Sequence, residues 1–96
     1  SLPFIDNVEE FASDGLIPAG SYANRRHCSC RTHVGPGVDS LRATLVFDAQ
    51  TSGGLVLAVP QERVEEAQER LAALGEPAWL IGRVLPLRDG PQLLLS

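Results

Sequence analysis

Ninety-six residues with 44% hydrophobic content and a formal net charge of −4 fit one small domain, read as residues 1–96, and leave no room for two hydrophobic cores. All eight basic residues are arginine, which excludes a P-loop lysine or a Schiff-base lysine. The acidic balance argues against nucleic-acid binding, and no apolar run approaches the roughly 20 residues that cross a bilayer, so no membrane association is expected.

The chain also lacks methionine, and it reads as a piece of a longer protein. No basic, apolar leader opens it, so the expected setting is the cytoplasm. Asp6-Asn7-Val8-Glu9 has capping-box spacing, which predicts a short helix over residues 7–14 that stops at Gly15 ahead of Pro18. Residues 16–20 read as a turn-rich passage leading into Ser21-Tyr22-Ala23-Asn24. Residues 25–40 carry charge, two Cys, two His and Gly35-Pro36-Gly37, which is loop chemistry. Asp39 or Ser40 can cap a second short helix containing Leu41 and Leu45, although Thr44–Phe47 would equally suit a strand.

The five consecutive apolar residues Leu55–Val59 predict a strand covered on both faces. Pro60 then opens the clearest helix in the chain. Glu62, Glu65 and Glu66 lie in its first turns, and Val64, Ala67, Leu71 and Leu74 recur at helical spacing. Gly75 closes this helix and Pro77 prevents its resumption. Residues 78–85 read as a further strand with Trp79 in the core, residues 88–91 as a turn, and Gln92–Leu95 as a last strand. Helices packed on a sheet describe an α+β fold.

Thr51-Ser52-Gly53-Gly54 is the most informative motif. Glycines free the backbone, and successive N–H groups with two hydroxyls can form an anion-binding nest. The same four residues also make an ordinary turn, and phosphate loops usually open a helix, whereas this one opens a predicted strand. Beside it, Asp48 can ligate magnesium, a hard cation, or cap local N–H groups in the turn; capping is the commoner use of Asp there. His27, Cys28, Cys30 and His33 are zinc-type donors, yet their C-x-C spacing is tighter than that of structural zinc sites, which favours a plain loop. A Cys28–Cys30 disulfide would be strained.

Three segments resemble the C-terminal domain of the selenophosphate synthetase family. Residues 15–25 are similar to its G-x-x-P-x-G-[ST]-x-x-N segment, residues 47–60 to D-x-Q-T-S-G-G-L-L-x-A-V-P, and residues 81–84 to I-G-x-V. The resemblance implies a truncated C-terminal domain of the aminoimidazole ribonucleotide synthetase superfamily, with a ferredoxin-like sheet under helices. It implies a two-domain enzyme that makes selenophosphate from selenide and ATP with magnesium, releasing AMP and phosphate. The reactive Cys or selenocysteine, its Lys and the magnesium-binding Asp residues would belong to other parts of that enzyme, so no catalytic residue is expected here. By the same resemblance Thr51, Ser52, Gly53, Gly54, Gln50 and Asn24 would lie near phosphate. The expected partners are the N-terminal ATP-binding domain and a second copy of the chain. The competing readings are a domain of another ATP enzyme of the superfamily, thiamine-monophosphate kinase or a hydrogenase maturation factor, and a small Cys/His metal-binding module.

Overall fold

Asp39 shows how directly local chemistry sets this structure, a computed structural model that describes residues 2–50, 54–87 and 89–96. Its carboxylate accepts from the backbone N–H groups of Leu41 at 2.9 Å and Arg42 at 3.0 Å. Two donors at the helix start are thereby satisfied. The helix that follows, α3, spans Ser40–Leu45, so the helical alternative prevails over the strand. Two other helices precede it, α1 (Val8–Ser13) and α2 (Ala19–Cys28).

α1 begins without the expected capping box. Asn7 is its N-cap, in the left-handed region at φ 65°, and makes no side-chain capping bond. Asn is among the few non-glycine residues that tolerate this backbone. The stop at Gly15 is as expected: Leu16 N–H donates to Phe11 at 2.9 Å and Gly15 N–H to Ala12 at 3.0 Å, with Gly15 at φ 85°. These are the paired bonds of a Schellman ending.

α2 corrects the sequence expectation, because residues 19–28 are helix rather than turn and loop. Pro18 stands at its N-cap without a side-chain capping bond, while the basic Arg25, Arg26 and His27 in its last turn suit a helix C-terminus. A 3₁₀ turn at Ser29–Arg31 leads into strand β1 (Thr32–Val34), again where a loop was expected. β1 pairs in parallel with β2 (Leu93–Leu95), with His33 opposite Leu94. Gln92 N–H to Arg31 and Gly35 N–H to Leu95, each 2.8 Å, extend the pairing at both ends. Among the described residues the sheet has these two strands alone, and the fold is α+β.

The chain divides into two compact units, Phe4–Ser52 with Pro86–Ser96, and Ser1–Pro3 with Gly53–Leu85. In the first, the buried residues are Ala12, Ser21, Ala43 and Thr44. All are small, which lets helix backbones approach closely. Arg42 on α3 reaches Glu9 on α1 at 2.5 Å, and its guanidinium lies 5.6 Å from the centre of the Phe4 ring.

The second unit holds a 3₁₀ turn at Gln61–Arg63 and α4 (Val64–Ala73). α4 ends as predicted: Gly75, at φ 77°, donates to Ala72 at 3.0 Å and Glu76 donates to Leu71 at 2.9 Å. Glu66 pairs with Arg63 at 3.3 Å and Arg70 at 2.7 Å on the exposed face. Val64, Ala67 and Leu71 are half-buried, while Leu74 is exposed. Three sequence expectations fail in this unit. Neither residues 55–59 nor residues 78–85 form a strand, and Leu55 is 90% and Val84 88% exposed. Trp79, expected in the core, is 58% exposed. A strand is defined by its ladder partner, and among the described residues these segments have none. Among the described residues no helix is long and apolar enough to cross a membrane.

Candidate functional site

Ser21, Asn24 and Arg25 stand at positions i, i+3 and i+4 of α2 and therefore share one face. That face meets α3 and the chain leaving it. Ser21, 1% exposed, donates from Oγ to Asp48 Oδ1 at 2.6 Å. Asn24 Nδ2 donates to the Phe47 carbonyl at 3.0 Å. Arg25 Nη1 donates to the Ser40 carbonyl at 3.1 Å and to Thr44 Oγ1, while Thr44 Oγ1 donates to the Ser40 carbonyl at 2.8 Å. Thr44 is itself 2% exposed. A buried hydroxyl needs such partners, because leaving one unsatisfied costs roughly 1–3 kcal/mol. No buried side-chain polar atom among the described residues lacks one.

Two side chains bond to Asp48, while a cap on the turn that follows it would use N–H groups that lie outside the described residues. One carboxylate oxygen takes the Ser21 hydroxyl, and the other accepts from Gln50 Nε2 at 3.4 Å. Its own N–H donates to the Leu45 carbonyl at 3.1 Å, in the turn that ends α3. So Asp48 receives a side chain 27 residues away and the side-chain amide of Gln50. The O–H···O⁻ distance lies in the range of charge-assisted bonds. Asn24 and Gln50 are exposed and Asp48 is half-buried.

Thr51, Ser52 and Gly53 lie outside the described residues. Gly54 is described: its φ of 71° is left-handed, and a Cβ there would meet nothing within 4 Å. Glycine at this position therefore serves backbone conformation rather than close packing. His27 and Cys28 end α2, Cys30 sits in the 3₁₀ turn, and His33 is on β1 with an exposed side chain. Both cysteines are free thiols. Among the described residues no three His, Cys, Asp or Glu side chains are grouped to hold one metal ion.

The sequence does not mark Ser21, Arg25, Ser40 or Thr44 as site residues, although it offers Ser40 as a helix cap. Ser21, Asn24, Arg25 and Cys28 do recur at helical spacing, but as a polar stripe, and apolar periodicity passes over such a face.

Comparison with known proteins places these residues in context. The chain is 48% identical over 96 residues to a selenide, water dikinase of Nitratidesulfovibrio vulgaris, covering 99% of the chain and 27% of that protein. It is 39% identical over 85 residues to the selenide, water dikinase of Caldanaerobacter subterraneus, covering 88% of the chain and 24% of the relative. With that of Clostridium botulinum it shares 34% identity over 91 residues, covering 95% of the chain and 26% of the relative. The chain thus spans about a quarter of the length of the curated relatives it matches. No protein-family profile matches it. No solved structure matches it either.

Proposed function

The chain belongs by sequence to the selenide, water dikinase family, matching a C-terminal part of its members, and from that premise we propose that it is a supporting portion of an enzyme that makes selenophosphate. The enzyme converts selenide, ATP and water into selenophosphate, AMP and phosphate. This portion carries no catalytic group; it belongs to a ferredoxin-like domain of the aminoimidazole ribonucleotide synthetase superfamily and closes the phosphate side of the active site. Its partners are the N-terminal ATP-binding domain and a second copy, in the cytoplasm. The observation that carries this reading is identity spread over 99% of the chain, rather than confined to one glycine-rich motif.

The site geometry agrees with a supporting role. Asn24 and Asp48, from two separate motif segments, meet through the bonds of α2 to residues 47 and 48. They hold the chain just ahead of Thr51-Ser52-Gly53-Gly54, the residues proposed near phosphate together with Gln50 and Asn24. Magnesium asks for several hard oxygen ligands. The described residues do not group such ligands, and both Asp48 oxygens already accept hydrogen bonds. No catalytic step is therefore assigned to a metal held by this chain.

The test is selenide-dependent release of AMP from ATP by the purified enzyme that carries this segment in full. AMP formation that requires selenide is expected, with no turnover by the 96-residue chain alone. ATP cleavage indifferent to selenide, or turnover by the short chain, would refute the reading.

A further inference from the structure

We propose that Ser21 and Asp48 act as a positioning pair, which locks the chain at residues 47–50 onto α2 in the intact enzyme, directly ahead in sequence of the Thr51-Ser52-Gly53-Gly54 motif. The inference rests on the dikinase reading above. Three directional bonds converge on this stretch: Ser21 to Asp48 at 2.6 Å, Asn24 to the Phe47 carbonyl at 3.0 Å, and Gln50 to Asp48 at 3.4 Å. The first is made by a hydroxyl that is 1% exposed.

A hydroxyl paired with a carboxylate is not the strongest way to hold two elements together. Apolar groups of the same volume at a buried polar pair are often as stabilising or more so. What the polar pair supplies is direction. The hydrogen bond has a narrow distance and angle, whereas apolar packing tolerates sliding. Asp48 lies three residues before Thr51, and with one oxygen held by α2 and the other by Gln50 it fixes the path of the chain up to Gln50. Asn24, one turn along α2 from Ser21, adds a second strap to the preceding residue.

The test compares Ser21→Ala, Asp48→Asn and the double variant in the intact enzyme, at a temperature where melting curves show each folded. Each single change should lower kcat on the order of tenfold, a barrier increase of about 1.4 kcal/mol. The double variant should be no worse than the weaker single, and half-saturation by magnesium should stay unchanged. A rise in the magnesium requirement for Asp48→Asn but not for Ser21→Ala would overturn the proposal, making Asp48 a metal ligand. Wild-type kcat in both variants with only a lowered Tm would overturn it too, leaving a purely structural brace. Should Asp48→Asn fail to fold, Ser21→Ala, which removes a single oxygen, decides between a lowered kcat, which supports the proposal, and wild-type kcat with only a lowered Tm, which overturns it. Wild-type enzyme without selenide-dependent AMP release would defeat the dikinase reading instead, before any variant is compared.

Discussion

Asp39 receives two backbone N–H groups on one oxygen and so carries the start of α3 alone. Replacing it with Ala should cost about 1 kcal/mol, the usual value of such a cap, whereas Asn should retain most of it. Amide exchange at Leu41 and Arg42 checks this, with faster exchange expected in Asp39→Ala. Equal exchange in the Ala and Asn variants would refute it. The contrast with Asn7 is instructive at the same scale. Both residues stand at helix starts and both belong to the capping class. Asn7 makes no capping bond because its backbone is left-handed, a conformation that residue type alone does not disclose. Ser21 adds a third case, since a serine among the most buried residues of the chain runs against the usual exposure of that type.

At the scale of elements, what could be read from sequence depended on whether an element's signals were its own. Helix α3 has a local cap in Asp39 and is one of the two alternatives its sequence offered, while α4 has its acidic first turn and its Gly75 stop and stands where expected after a 3₁₀ start. So does β2, within a residue. α2 was hidden because the residue it buries, Ser21, carries a hydroxyl rather than an apolar side chain. Residues 55–59 and 78–85 were legible as apolar, but strand formation depends on a second segment alongside, which a local pattern cannot supply. The candidate site divides in the same way. Asn24, Asp48 and Gln50 could be picked out as polar residues in motif-like stretches, while the Ser21–Asp48 bond joins residues 27 apart and has no local signature. The α4 stop permits a direct check. Gly75→Ala places a Cβ at φ 77°, which costs roughly 1–2 kcal/mol. Melting followed by circular dichroism should show that loss, whereas Gly82→Ala, in open space with no positive φ, should leave the curve in place. Equal shifts in both would count against the capping account.

For the molecule as a whole, the second unit leaves Leu55, Val56 and Val84 each more than four-fifths bare. Large apolar side chains left this bare favour association with other apolar surface. The 96-residue chain in isolation should therefore bind an apolar dye and self-associate as its concentration rises, and Leu55→Asp with Val84→Asp should weaken both. Light scattering that shows one monomeric mass at every concentration, with no dye bound, would contradict this. The β1–β2 pairing has a consequence that reaches across the chain. Its strands are about sixty residues apart in sequence, so joining them costs on the order of 4 kcal/mol in loop closure. Their few backbone bonds return about 1 kcal/mol each, which leaves the ladder close to balance. Whatever shortens the free stretch of chain between them lowers that closure penalty and tightens these strands without touching them.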